Sequence, residues 1–174
     1  MTAYRRLRCP GGSYFFTLAL ADRGAAHLTR HISDLRCAYA QTLADHPVRT
    51  DAIVVLPDHL HAVWTLPPGD SDFSTRWRLI KSRFARRTGL FGPRSASKRA
   101  KAERGVWQRR FWEHAIRDEA DMTLHLRYCW LNPVKHGLAD RAAQWPWSSI
   151  HRDIKRGYVD PEIAGFAPDG TFGE

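Results

Sequence analysis

Four side chains in two short stretches carry the chemistry this sequence offers: His59 and His61, separated by Leu60, and Tyr128 and Asn132, four residues apart. Residues two apart on a β-strand point to one face. An extended 59–66 segment therefore projects both imidazoles together and sends Leu60, Ala62, Trp64 and Leu66 to the other side. Paired neutral imidazoles are the beginning of a divalent-metal site. Residues four apart on a helix are neighbours, which brings a phenolic nucleophile and an amide oxygen toward one metal position. Each feature also has a plainer reading. The chain has nine histidines, enough to yield roughly 0.4 His-x-His pairs by random placement, so the pair alone also suits surface or hydrogen-bonded strand histidines. A helical tyrosine is commonly a packing residue with its hydroxyl at the surface, and Asn before Pro133 commonly closes a helix. Spacing alone leaves both readings open.

Periodicity supplies the elements that must position these groups. Residues 13–20 are aromatic and β-favouring and end at Asp22-Arg23-Gly24, which predicts a buried strand. Leu28, Ile32, Leu35, Tyr39 and Leu43 recur at helical spacing ahead of Pro47. Residues 51–56 and 59–66 read as a hairpin around Pro57-Asp58, and this hairpin carries the histidines. A second helix starts near Ser71 or Asp72, buries Phe73, Trp77, Ile80 and Phe84, and stops before Gly89. The 106–116 stretch reads as a fourth strand. Asp118 then caps a third helix with Asp121 in its first turn. This helix is expected to run to about Leu131, with Leu124 and Leu131 seating it, before Asn132-Pro133 ends it. The order β, α, β, β, α, β, α predicts a ferredoxin-like α+β sandwich, an antiparallel sheet with helices on its faces. Residues 1–174 read as one domain, with Trp145-Pro146-Trp147 packing back on it and a C-terminal tail over about 153–174.

With 43% hydrophobic and 11% aromatic residues the chain has the apolar surface a folded domain needs. Its formal charge of +9, from 27 basic and 18 acidic residues, calls for a polyanionic partner, nucleic acid first and an anionic membrane second. The charge is concentrated: residues 76–110 hold ten Arg and three Lys against one acid, Glu103. Within that stretch, residues 92–105 have no apolar periodicity and are expected to form a mobile basic loop that grips phosphate. Cys9, Cys37 and Cys129 are odd in number and far apart, so neither a disulfide framework nor a zinc knuckle is indicated, and a reducing cytoplasm fits. Arg5, Arg6 and Arg8 precede an apolar run, but Gly11-Gly12 interrupts and Asp22-Arg23 ends it, unlike a signal peptide. No apolar stretch approaches the roughly 20 residues that span a bilayer.

Four motifs then point to a family. The stretch Trp107-Gln-Arg-Arg-Phe-Trp-Glu-His-Ala-Ile-Arg-Asp118 is followed by Tyr128-Cys-Trp-Leu-Asn-Pro-Val-Lys-His-Gly-Leu138 and Trp145-Pro-Trp-Ser-Ser149. Upstream lies Leu56-Pro-Asp-His-Leu-His-Ala-Val-Trp64. From about residue 14 to 152 the chain resembles the bacterial REP-associated tyrosine transposases, members of the HUH single-tyrosine superfamily in which U is a bulky apolar residue, here Leu60. The resemblance implies an HUH-endonuclease-type ferredoxin-like domain that recognises imperfect palindromes folded as single-stranded DNA hairpins and cuts near their foot. It implies His59 and His61 as the metal pair, Tyr128 as nucleophile and Asn132 as the third protein ligand. The cut would leave a 5′-phosphotyrosine and a free 3′-hydroxyl, ready for strand transfer.

This nitrogen and oxygen donor set fits Mg²⁺ or Mn²⁺, with the imidazoles favouring Mn²⁺. His125 and Lys135 share the Tyr128 face and are candidates for handling its proton. Many relatives carry His where this chain has Trp130, which puts that position's auxiliary role in question. Trp130 is left to stack on an unpaired base or to pack. Arg76, Arg78, Lys81, Arg83, Arg109, Arg110 and Lys135 are the candidate DNA contacts. The setting implied is cytoplasmic and nucleoid-associated, without a membrane, as a monomer or homodimer. Two rivals are a domesticated hairpin-binding regulator that need not cleave and a metal-dependent hydrolase with no covalent step.

Overall fold

The computed structural model describes residues 7–163, 165, 172 and 173. Four strands, β1 (Ser13–Ala19), β2 (Arg49–Val55), β3 (His59–Thr65) and β4 (Trp112–Ala115), form one antiparallel sheet in the order β2-β3-β1-β4. This is the expected ferredoxin-like arrangement. The inner strands β1 and β3 are buried over six of their seven residues because helices cover both faces of the sheet. On one face Leu18, Leu60, Ala62 and Trp64 pack against α2 (Ile32–Asp45) and α3 (Phe73–Thr88). There Trp64 stacks on Trp77 at 3.9 Å, and its indole N–H donates to the Tyr39 hydroxyl. On the other face Phe15, Val54 and Val63 meet Tyr128 and Cys129 of α5 (Glu119–Lys135). Alternation along β3 thus sends Leu60, Ala62 and Trp64 to one core and His59, His61 and Val63 toward α5, as expected.

Helix α3 has the predicted limits: the Asp72 side chain accepts from Thr75 N, and Gly89 closes the helix at φ 70°. The first helical stretch is broken into α1 (His27–Arg30) and α2. The expected basic loop carries a short helix, α4 (Ala96–Ala100), capped by Ser95. The fourth strand is shorter than 106–116. Trp107 makes only an isolated bridge to Leu20 before the ladder resumes at Trp112. Trp145 and Trp147 pack back as expected, bracketing Val55: Val55 N–H donates to the Trp147 carbonyl and the Trp145 indole donates to the Val55 carbonyl. The expected tail begins with the end of α6 (Ile150–Lys155), and Val159 and Phe172 are buried. Its residues 164, 166–171 and 174 lie outside the described residues.

The largest correction concerns α5, which does not stop at Leu131 but continues through Asn132 and Pro133 to Lys135. Proline forfeits one helical hydrogen bond, yet residues 131–133 are all buried, and this packing outweighs the local preference to stop. The helix ends instead at Gly137, φ 64°, where Gly137 N–H donates to the Val134 carbonyl and Leu138 N–H to the Pro133 carbonyl, a Schellman closure. Leu124 is exposed and Leu131 joins a separate cluster with Ala142 and Ile150, so neither seats α5 on the sheet. Asp121, His125, Tyr128, Cys129 and Asn132 form the inward stripe. Among the described residues no helix is long and apolar enough to cross a membrane.

Candidate active site

The two histidines sit beside α5 and are buried, not presented on an open strand face: His59 is 2% exposed and His61 fully enclosed. Their rings are 5.1 Å apart, and the His61 ring lies 5.2 Å from that of Tyr128. Each imidazole is oriented through Nδ1. Asp58 Oδ1 lies 2.7 Å from His59 Nδ1, and an ionised carboxylate only accepts, so His59 donates from Nδ1. The Thr17 hydroxyl gives its single proton to the Phe172 carbonyl and therefore accepts from His61 Nδ1 at 2.8 Å. This protonation pattern makes Nε2 the lone-pair nitrogen of both rings, the arrangement in which an outer partner steers a metal-binding histidine. Burial lowers the His59 pKa against the opposing pull of Asp58, favouring the neutral imidazole that a ligand must be. The donor set therefore fits a divalent cation.

Tyr128 is fully buried. Because α5 passes through Pro133, Lys135 lies two turns beyond Tyr128 on the same face, and its ammonium donates to the phenolic oxygen at 2.8 Å. Asn132 is buried one turn from Tyr128. One turn further His136 brings a third ring, 5.1 Å from His59. The phenol ring is capped by Phe172, stacked at 3.7 Å and 17°. Gly173 follows in a left-handed conformation against Trp112, where a Cβ would come within 2.5 Å of the indole, so no larger residue fits. His125 is buried beside Phe15 and Phe172 and turns its Nδ1 to Asp121, so Lys135 and not His125 reaches the phenol. Trp130 packs against the cluster of Leu131, Ala142, Ile150 and Val159.

A second cluster lies at the start of the same helix. His114, Asp121 and His125 each place a ligand atom within 4.8 Å of the others, donors enough for a divalent cation. The Asp121 carboxylate is already engaged, however, accepting from His114 Nε2, from Arg117 N–H and from the Arg117 guanidinium. Burial acts to raise its pKa, and these hydrogen bonds together outweigh it, holding the group at about 2. The cluster thus anchors the first turn of α5 and keeps His125 in place. Because the folded-state pKa is depressed, its stabilisation is complete above the unfolded value and is lost as pH falls through about 2. Asp121→Asn is expected to lower unfolding free energy by about 2 kcal/mol near pH 7, with the difference closing between roughly pH 4 and 2. Denaturant midpoints of both proteins across that range check it, and a difference that persists undiminished at pH 2 would contradict it.

The candidate DNA contacts divide. Arg76 is 4% exposed and bonds Asp70 and the carbonyls of His46, Pro47 and Asp72, which withdraws it from any DNA surface. It lies on the inward stripe of α3, between Phe73 and Ile80. Arg83 ties α3 to α2 through Thr42 and Asp45. Lys81 clamps the Gln108 and Arg109 carbonyls, and Arg109 pairs with Glu103. Arg78 and Arg110 are exposed, and Lys135 is engaged with Tyr128.

No family model matches the chain. Among characterised proteins it is similar to the REP-associated tyrosine transposase of Escherichia coli (strain K12), 42% identical over 174 residues, which cover 100% of this chain and 98% of the relative. The chain belongs to the REP-associated tyrosine transposases. A relative of that family from Haemophilus influenzae is 44% identical over 170 residues, 97% of this chain and 96% of its own. Among solved structures, a REP-associated tyrosine transposase bound to a REP hairpin superposes with TM-score 0.90 at 42% identity, covering 100% of this chain and 98% of that one. The ferredoxin-like sheet is thus the fold of a REP-associated tyrosine transposase, an enzyme of the transposase kind.

Proposed function

We propose that this transposase is a metal-dependent single-stranded DNA endonuclease and strand transferase. It acts at hairpins of palindromic repeats, with Tyr128 as nucleophile and His59, His61 and Asn132 as the protein ligands of Mg²⁺ or Mn²⁺. The observation that carries this reading is the juxtaposition of two Nδ1-oriented imidazoles with a phenol that receives a lysine hydrogen bond, all on the α5 face. The relative solved with a REP hairpin supports the substrate. When bound, the metal would neutralise the non-bridging phosphate oxygens and polarise the phosphorus. The phenolic oxygen attacks phosphorus, the bond to the 3′-oxygen breaks, and the upstream strand leaves as its 3′-oxygen takes a proton from water to become a hydroxyl, while the 5′-phosphate of the downstream strand stays on Tyr128. Lys135 stabilises the phenolate as the phenol proton passes to water. Bond energy is conserved in the phosphotyrosine, so attack by another 3′-hydroxyl rejoins strands.

End-labelled repeat hairpins incubated with the protein and Mn²⁺ should give a denaturation-resistant protein–DNA adduct. Cleavage without an adduct would instead support the hydrolase, and binding without cleavage the regulator. Phe172 favours attention to the last of these, since it stacks on the ring of a fully buried phenol. Phe172→Ala, which keeps the backbone carbonyl that orients Thr17, is expected to raise the cleavage rate by about 2- to 10-fold, the gain expected when a blocking contact worth roughly one stacked ring pair is removed. An unchanged or lower single-turnover rate in that variant would refute Phe172 as a block.

A further inference from the structure

His59 is oriented by Asp58, and Asp58 is in turn held by a cation outside the site. The two oxygens of its carboxylate are divided: Oδ1 accepts from His59 Nδ1 at 2.7 Å, and Oδ2 accepts from Arg23 Nε at 2.7 Å. The terminal torsion of an aspartate is broad, so a single hydrogen bond leaves the carboxylate free to swing away from the imidazole. A charge-assisted bond to the second oxygen fixes it in one orientation. Exposure falls along the chain of contacts, from 41% for the Arg23 side chain through 17% for Asp58 to 2% for His59.

The backbone around Arg23 has its own anchors on the turn that carries Asp58. Leu20 N–H donates to the Asp58 carbonyl at 2.8 Å and Leu28 N–H to the Pro57 carbonyl at 3.0 Å. Between them Gly24 N–H donates to the Asp22 carboxylate and closes a tight turn at Arg23. The Arg23 side chain is therefore not what holds this segment in place, and a half-exposed ion pair contributes little to stability. Its distinct consequence lies at the far oxygen of Asp58. We infer that Arg23 is a positioning residue for the metal centre, fixing the Asp58 carboxylate so that His59 Nδ1 stays engaged and Nε2 remains the ligating nitrogen. The inference rests on the metal reading above, with His59 as a ligand.

Two measurements on the full chain test it, the first without metal. The His59 Nδ1–H proton, identified by its loss in His59→Ala, is expected to exchange with water at least about tenfold faster in Arg23→Ala than in the wild type. Arg23→Lys, which keeps a donor for Oδ2, should hold it within about threefold, and the His61 Nδ1–H on Thr17 should be unchanged. Mn²⁺ binding to the free protein, read by electron paramagnetic resonance, should weaken about tenfold in Arg23→Ala and recover to within about threefold in Arg23→Lys. The direction is diagnostic. Removing a cation that acts by charge alone would tighten Mn²⁺ binding, whereas removing one that orients a ligand loosens it. Because Arg23 acts through Asp58, Arg23→Ala should add less than about twofold in an Asp58→Asn background. Unchanged Nδ1–H exchange in Arg23→Ala, Mn²⁺ binding that is unchanged or tighter, or a full further loss over Asp58→Asn overturns the inference. Mn²⁺ binding by His59→Ala as tight as by the wild type removes the metal reading instead, and the proton exchange then decides by itself whether Arg23 positions His59.

Discussion

His61→Ala is expected to depress cleavage of a repeat hairpin by about a thousandfold or more while hairpin affinity stays within about threefold. His61 is fully enclosed, its ring lies against Tyr128, and its Nδ1 is tied to Thr17, so its contribution belongs to the reacting centre and not to the DNA-gripping surface. An alanine there also opens a hole in a packed face. Thr17→Val therefore accompanies it as a gentler probe. This variant keeps the imidazole and the side-chain volume but removes the partner that sets its protonation, for an expected loss of about 10- to 100-fold, as for other outer partners of metal ligands. Asp58→Asn should behave alike toward His59. Raising Mn²⁺ should restore activity to the Thr17 and Asp58 variants and not to His61→Ala. Cleavage by His61→Ala at the wild-type rate would exclude the histidine pair as ligands.

Tyr128→Phe is expected to abolish cleavage, by on the order of ten-thousandfold or more, because Tyr128 brings the nucleophilic phenol against His61. The substitution removes one oxygen and the hydrogen bond from Lys135 and leaves the stacking on Phe172. Stability should change by only about 1 kcal/mol, and hairpin binding should persist. Lys135→Met should fall between, slowing the chemical step by about 10- to 100-fold with a smaller effect on affinity. A phosphate-gripping lysine would show the reverse, a loss of affinity with the chemical step intact.

The contrast between α3 and α5 shows what the sequence could convey. Both ends of α3 follow from side chains within a few residues, Asp72 and Gly89, and its limits were predicted closely. The end of α5 depends on burial of residues 131–133, which no local pattern records, and Pro133 therefore read as a stop. A stop at Pro133 leaves out His136, which continues the four-residue spacing of Tyr128 and Asn132 once the helix is carried on. The charge of Arg76 alone suggests a DNA contact. Its phase, three residues after Phe73 and four before Ile80, already marked it as inward-facing. The ferredoxin-like order was legible because hairpin and helix periods alternate clearly. Thr17 and Phe172 were not, since they reach His61 and Tyr128 only through strand register and the return of the chain's end. Asp58 could have been suspected from its position beside His59.

Peptide mapping by mass spectrometry of the denaturation-resistant adduct locates the covalent bond itself. After cleavage of a 5′-flanked repeat hairpin in Mn²⁺ and digestion of both polymers, the nucleotide remnant is expected on the peptide containing Tyr128, linked through a 5′-phosphate. Its absence during active cleavage, or its presence on a different residue, would contradict Tyr128 as the nucleophile.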